Sequence, residues 1–294
     1  MVLIDGKQTA ADIRGEIARE VAALIDHKGE APHLAAVLVG DDPASHTYVR
    51  NKEKACQETG MLSSIYKYPA TIGEDELLKI IDFINKDDDI HGLIVQKPLP
   101  SHISDDRVTA AIRPSKDVDG FHPVNVGRMV LNLPAYLPAT PAGILELIRR
   151  YHIETVGKEC VILGRSNIVG APLSVMLSKK GYPGNCTVTL CHSKTRNIGE
   201  LTRRADILIA AMGQPGFVTG DMVKKDAVVI DVGMNRIVDE TKVSAFKFTG
   251  DVRFDEVASK CSYITPVPGG VGPMTIVSLL LNTLKAYKKE IYPE

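Results

Sequence analysis

Residues 160–170 read CVILGRSNIVG. Cys160 to Leu163 is a short run of apolar side chains, as a strand buried on both faces requires. It runs directly into Gly164-Arg165-Ser166-Asn167-Ile168-Val169-Gly170, and a helical pattern to about Lys180 follows. Strand, glycine turn and helix start make a cradle for an anion, because free amide hydrogens and the positive end of the helix dipole point the same way. The two glycines lie six apart with Arg165 and Ser166 in the turn, so the stretch departs from GxGxxG spacing. Taken alone, such a turn specifies little. Its surroundings specify more.

Downstream, Thr187–Leu190 reads as a second strand ending in Cys191-His192-Ser193-Lys194-Thr195, Asp206–Ala211 as a third ending at Gly213, and Ala227–Val232 as a fourth ending at Gly233. Strands that each end in a polar or glycine turn describe a dinucleotide-binding half. NAD sites usually place a carboxylate at the end of the second strand. Here Ser193, Lys194 and Thr195 stand there, with Arg165 across the turn, which favours the extra phosphate of NADP. His192 reads as a turn residue without chemistry. Further on, Tyr263–Thr275 packs prolines and glycines into an irregular stretch able to approach a flat ligand closely. An apolar helix from Met274 to about Tyr287 closes the chain and is expected to return to the first half. Upstream, LPATPAG reads as a linker entering a helix over 143–151. The expected boundaries are therefore 140–273 for the nucleotide-binding domain, and 1–139 with 274–294 for the other.

That other half alternates as well. Apolar residues recur at helical spacing over Thr9–Ile25, and LAAVLV (34–39) is a buried strand ending in Gly40. Then comes DPASHTYVRNK (42–52), where Asp42 before Pro43 is a helix-start signal and Tyr48 and Lys52 share one helix face. A lysine held beside a tyrosine hydroxyl and shielded from water can exchange protons near neutral pH. An exposed lysine on a surface helix fits the same residues. A strand at Ile65–Tyr68, a helix over 74–85 and the strand HGLIVQ follow, with Gln96 at the strand end before Pro98-Leu99-Pro100. This pattern predicts a parallel sheet, with Gln96 facing the crevice where ligands of open α/β sheets bind. In PSKDVDGFHPVNVGR (114–128), Asp117, Asp119 and Gly120 form a tight turn that serves equally as a solvated acidic turn or a ligand contact. No cluster of oxygen ligands completes a metal site there.

Bulk properties narrow the class. The 294 residues suit two domains, and 35 basic against 36 acidic side chains leave a net charge of −1, so no global field recruits nucleic acid or an anionic membrane. Five cysteines without a CxxC pair argue for reduced thiols rather than a disulfide framework. MVLIDGKQTA lacks the apolar run of a signal peptide, and no stretch is long enough to cross a bilayer, so a cytoplasmic protein is expected.

Six stretches, in order, resemble the bifunctional methylene-tetrahydrofolate dehydrogenase/methenyl-tetrahydrofolate cyclohydrolase family: PASxxYxxxK (43–52), GLIVQxPLP (92–100), KDVDGF (116–121), GRSNIVGxP (164–172), CHSKT (191–195) and ITPVPGGVGPMT (264–275). The resemblance implies two α/β domains with a cleft between them, the second a Rossmann-type dinucleotide-binding domain. It also implies two reactions: hydride transfer from methylene-tetrahydrofolate to NADP, then hydrolysis of the methenyl cation to formyl-tetrahydrofolate. Lys52 is implied as the proton-transfer residue, Gln96 as its hydrogen-bonding partner, Tyr48 as the residue that orients the folate and Asp119 as the pterin contact. Ser45, Pro268, Gly269, Gly270 and Val271 are implied around the folate. Gly164, Arg165, Ser166, Ile168, Ser193, Gly213, Met234 and Thr275 are implied around the cofactor. A homodimer is implied, with no metal.

Two positions depart from the family pattern. Lys97 stands where leucine is usual, either bringing a second amine toward Lys52 or pointing into solvent, and Met234 replaces an isoleucine of similar volume. Two other readings compete. In short-chain dehydrogenases a YxxxK pair follows the glycine turn, whereas here it precedes it by more than a hundred residues. A noncatalytic NADP sensor would have no need for Lys52, Gln96 and Asp119 to converge.

Overall fold

The structure, a computed structural model, describes residues 1–238 and 246–293. β1 (Val2–Leu3) and α1 (Gly6–Lys28) open the chain. β2 (His33–Val39), α2 (Pro43–Glu58), β3 (Leu62–Tyr68), α3 (Glu74–Lys86), β4 (Gly92–Val95), α4 (Asp105–Ala111) and α5 (Pro123–Val130) follow. After α6 (Ala139–Arg150) come β5 (Glu159–Leu163), α7 (Gly170–Ser178), β6 (Thr187–Cys191), α8 (Ile198–Thr202), β7 (Ile207–Ala210) and β8 (Ala227–Asp231). β9 (Asn235–Val238), β10 (Phe246–Thr249), α9 (Phe254–Val257), β11 (Cys261–Ile264) and α10 (Val271–Tyr287) complete the order. No described helix is long and apolar enough to cross a membrane.

The chain divides into two compact units, one of residues 1–10 with 140–275, the other of residues 11–139 with the chain from 276 onward. The first ten residues thus group with the glycine-turn unit, where the sequence had placed them with the other half. The reason is β1, which pairs in parallel with β11 through Val2↔Tyr263 and Leu3↔Ile264. A two-residue strand with a partner some 260 positions away leaves no periodic trace in the sequence.

In the unit of residues 11–139, three parallel strands stand in the order β3-β2-β4. β2 is central and buried over Leu34–Val39, as its continuous apolar run requires. Ala35, Val37 and Val39 pack with Leu93 and Val95 against Leu77, Ile81 and Ile84 of α3. The next strand after β2 lies on one side of it and β4 on the other, so the order reverses at β2. The carboxyl ends of β2 and β4 therefore flank a switch point, where side chains of successive loops converge.

The glycine-turn unit is built on six parallel strands, β1-β11-β8-β7-β5-β6, with β9 and β10 as a separate antiparallel ribbon. Its switch point is β5, which has β6 on one side and β7 on the other. Val161, Leu163, Leu208, Ala210, Val229 and Ile264 are buried in one apolar cluster beneath these strand ends. Two helices begin earlier than the sequence pattern indicates: α6 at Ala139 and α10 at Val271. Pro141 and Pro273 each fall in the first turn, where a missing amide hydrogen costs nothing, so both prolines that read as loop markers lie inside helices.

Candidate active site

The end of β2 delivers the chain into α2 through Asp42, whose carboxylate accepts from the Ser45 amide at 2.7 Å and the Ser45 hydroxyl at 2.8 Å. These bonds hold the Asp42 carboxyl below its usual pKa. Ser45 is buried and committed to this cap, which places it in the scaffold of the helix start. Two turns on, Lys52 Nζ donates to Gln96 Oε1 at 3.1 Å. Gln96 sits just past β4, and its Nε2 donates to the Lys97 carbonyl at 2.7 Å. With the nitrogen anchored, the amide oxygen is left to face the lysine. Tyr48, one turn before Lys52, is 48% exposed, a large aromatic face open to a ligand.

The KDVDGF stretch lies beside β4, where the Leu93 amide donates to Lys116 O at 2.8 Å. Its two aspartates are separated by environment. Asp117 is buried and accepts from the amides of Phe121 at 3.2 Å and His122 at 2.8 Å, and from Asn125 Nδ2 at 2.9 Å. Burial pushes its carboxyl up to about 6 despite those bonds. It is the internal post of the turn. Asp119 points elsewhere: no hydrogen bond or ion pair to its carboxylate is found among the described residues. Burial raises its pKa, and the nearby ammoniums of Lys52 and Lys97 act against that rise. Gly120 turns the chain back at φ +74°, and a Cβ there would lie 2.5 Å from the Leu137 carbonyl carbon. From α10, Asn282 Nδ2 donates to the carbonyls of Val118 at 2.8 Å and Leu137 at 3.0 Å, fixing the turn from behind. Lys97 is ion-paired with Asp105 on α4 at 3.1 Å.

In the other unit, Gly164 takes φ +112° at the end of β5, and a Cβ there would stand 2.1 Å from Ala211 O. A Cβ on Gly170 would meet Gly164 O at 1.8 Å. Both glycines are therefore demanded by close packing of the turn on itself and on the β7 end. Arg165, Ser166, Asn167 and Ile168 stand exposed above it, with Ser166 Oγ accepting from the Val169 amide at 3.2 Å. At the β6 end, His192 is a turn residue as expected: its amide donates to Thr195 Oγ1 at 2.9 Å, and its Nδ1 accepts from the Lys194 amide at 3.2 Å. Ser193 and Lys194 are exposed. Gly213 has φ +67°, and a Cβ there would project into open space. Backbone amides and a glycine cradle with room for a ligand suit a nucleotide pyrophosphate.

A family model described as tetrahydrofolate dehydrogenase/cyclohydrolase, catalytic domain, matches residues 4–119, and a second, described as the NAD(P)-binding domain of the same enzymes, matches residues 138–291. The chain belongs to the tetrahydrofolate dehydrogenase/cyclohydrolase family. It is 59% identical over 292 residues to the bifunctional protein FolD of Bacteroides fragilis, covering 99% of this chain and 100% of that one. Among solved structures it resembles the bifunctional FolD enzyme of Campylobacter jejuni, with TM-score 0.93, 48% identity and 99% of each chain covered. It also resembles the Trypanosoma brucei methylenetetrahydrofolate dehydrogenase-cyclohydrolase solved with NADP and an inhibitor, with TM-score 0.93, 38% identity and coverage of 99% and 98%.

Within this tetrahydrofolate dehydrogenase/cyclohydrolase chain, Lys52, Gln96, Asp119 and the Tyr48 face come from one unit, and Gly164, Arg165, Ser166, Ile168, Ser193 and Gly213 from the other. Met234 is 41% exposed, its methyl lying 3.0 Å from where a Cβ on Gly272 would be. Thr275 Oγ1 lies 3.0 Å from Thr140 Oγ1. The Pro268–Val271 loop rests on the N-terminal segment: Lys7 N donates to Gly269 O at 2.9 Å, and a Cβ on Gly6 would overlap Gly270 O at 1.7 Å. Sequence reasoning missed Asp251. Its Oδ2 accepts from the amides of Met212 at 2.6 Å and Gly213 at 3.0 Å, and its Oδ1 from Asn235 Nδ2 at 2.8 Å. Asp231 supports it, accepting from the amides of Gly233, Asp251 and Val252, with its carboxyl pushed up to about 6 by burial. Nothing in the spacing of the sequence announces Asp251; in the structure a Cβ on Gly233 would stand 2.4 Å from Asp251 Oδ1.

Proposed function

We propose that Lys52 is the proton-transfer residue of a bifunctional folate enzyme, with Gln96 orienting it, Asp119 holding the pterin and Tyr48 packing on the folate. The chain oxidises 5,10-methylene-tetrahydrofolate to the methenyl compound with NADP, then hydrolyses that compound to 10-formyl-tetrahydrofolate. The observation that carries the reading is the 3.1 Å contact from Lys52 Nζ to an amide oxygen held in place by its own nitrogen, near a carboxylate that accepts no hydrogen bond from the described residues. When bound, NADP supplies the hydride acceptor. Hydride transfer asks no acid or base of the protein, only that the reacting carbons be held in contact.

Hydrolysis does ask for one. Water attacks the bridge carbon of the methenyl cation, its oxygen bonding there while its proton passes to Lys52. The carbon–nitrogen bond to N5 then breaks, N5 takes the proton held by Lys52, the hydroxyl on the bridge carbon releases its own proton to solvent as the carbonyl forms, and the formyl group stays on N10. The amine acts in its neutral form, since an ammonium has no free electron pair and is repelled by a cationic substrate. Gln96 keeps that nitrogen aimed, and Asp119 accepts from the donor edge of the pterin. Arg165 and Ser193 suit the extra phosphate of NADP, Ser166 and the turn amides its pyrophosphate, and Ile168, Gly213, Met234 and Thr275 line its path. Pro268, Gly269, Gly270 and Val271 border the folate. The half that carries Lys52 is the folate-binding domain and the half that carries Gly164 the nucleotide-binding domain. The enzyme works in the cytoplasm as a homodimer, which sedimentation at assay concentration tests.

The direct test of the activity is an absorbance assay with methylene-tetrahydrofolate and either NADP or NAD. Reduction of NADP coupled to formation of methenyl compound, followed by its decay, supports the reading. Cofactor binding without turnover favours a sensor instead.

A further inference from the structure

Asp251 is wholly buried, and it meets the turns that leave two neighbouring strands, β7 and β8. On one side its Oδ2 accepts from the amides of Met212 at 2.6 Å and Gly213 at 3.0 Å, just past β7. On the other its Oδ1 accepts from Asn235 Nδ2 at 2.8 Å, at the residue after Met234. One carboxylate thus holds two turns at once. Its own backbone is fixed as tightly. The Asp251 amide donates to Asp231 Oδ1 and the Val252 amide to Asp231 Oδ2, both at 3.0 Å. A Cβ on Gly250 would stand 1.8 Å from Asp231 Oδ2, and one on Gly233 2.5 Å from the Asp251 amide nitrogen, so neither turn has space to drift.

The direction of these bonds has a consequence for the ligand. The amides of Met212 and Gly213 are spent on Asp251, so they are not offered to a phosphate. The turn after β7 meets a nucleotide instead through the bare Cα of Gly213, whose missing Cβ would face open space. A surface that binds by shape depends on where it is held. Asp251, being wholly buried, acts on the nucleotide only through the turns it holds.

We propose that Asp251 is a positioning residue that ties the turn after β7 to the turn after β8 and so sets the affinity of the site for NADP. The inference rests on Gly213 and Met234 being cofactor contacts.

The test uses the full chain and two assays. The dehydrogenase assay gives KM for NADP and kcat, and the cyclohydrolase assay, on methenyl-tetrahydrofolate supplied directly without nucleotide, reports on the Lys52 half. Asp251→Ala leaves three donors without their acceptor: KM for NADP rises about 10-fold or more, with kcat at saturating NADP and cyclohydrolase turnover close to parental. Asn235→Ala removes only the tie to the turn after β8 and raises KM for NADP several-fold. Asp251→Asn recovers most of the loss, because its oxygen still accepts from Met212 and Gly213 while the Asn235 amide rotates to meet its nitrogen. A parental KM for NADP in Asn235→Ala, or in Asp251→Ala with cyclohydrolase turnover retained, overturns the inference; if Asp251→Ala does not fold, Asn235→Ala decides alone. Loss of both activities in equal measure with KM for NADP unchanged marks a structural role only and also overturns it. Gly213→Ala separates the inference from the reading beneath it. A raised KM for NADP there beside a parental KM in Asp251→Ala leaves the cofactor contact standing, whereas a parental KM in Gly213→Ala overturns both.

Discussion

Asp117 and Asp119 are two letters apart in a stretch that the sequence alone could not divide between scaffold and ligand contact. Their surroundings divide them. Asp117 spends its carboxylate on two amides and Asn125, while Asp119 accepts no hydrogen bond from the described residues. Asp117→Asn is therefore expected to lower stability, measured by urea unfolding, since an amide cannot accept three donors and brings two of its own. Asp119→Asn is expected to unfold like the parent yet raise KM for the folate by roughly 10- to 100-fold, the worth of a charge-assisted pair. Gln96→Glu tests the lysine contact from the other side. A carboxylate at 3.1 Å would favour the ammonium of Lys52, so hydrolysis should fall at neutral pH and recover as pH rises, with hydride transfer less affected. The strand pattern placed Lys52 and Gln96 each near the carboxyl end of a buried strand, while their pairing was implied by the family resemblance. The Asp105 partner of Lys97 was not, because nothing in the spacing of α4 announces it.

Strands with continuous apolar runs, β2, β4, β5, β7 and β8, were legible because burial on both faces leaves a plain record. β9 and β10 were not, since they are mostly exposed and carry no such run. The turn after β5 was legible only in outline. GRSNIVG announces a glycine cradle, but the demand for glycine comes from Ala211 O, nearly fifty positions on. Gly164→Ala should therefore disrupt both folding yield and cofactor binding, because the added atom meets backbone that cannot yield. Gly213→Ala differs: its Cβ enters open space, so the cost to the fold is that of a positive φ alone, about 1 kcal/mol. Cofactor titration should show a larger relative loss than thermal unfolding does. Arg165→Ala should weaken NADP by roughly 10- to 100-fold with little change for NAD, through loss of a charge-assisted phosphate contact. Equal loss for both nucleotides would remove Arg165 from the extra phosphate.

In the molecule as a whole, buried ionisable groups act in opposite directions on stability. His91 is pushed down to about 4 by burial, then by His33 and Lys116, and its ring stacks edge-on against Tyr287 at 4.8 Å. Its folded pKa lies below the ordinary 6.5, so its contribution is present above about 6.5 and lost as pH falls through 4. Asp117 and Asp231, both raised to about 6 from 3.8, contribute most below 3.8 and lose it as pH rises through 6. His91→Asn isolates the first effect: the stability gap between parent and variant should narrow as pH falls from neutral toward 4. Both units share one device, a parallel sheet whose order reverses at an inner strand, and in each the proposed site residues follow the strands at that reversal. The central claim concerns the amine at the first of these. Lys52→Met keeps the apolar stem and removes the nitrogen. Followed by absorbance in the presence of methylene-tetrahydrofolate and NADP, it should form the methenyl compound and let it accumulate, with hydrolysis reduced to the uncatalysed rate. Hydrolysis at the parental rate in that variant would contradict the account.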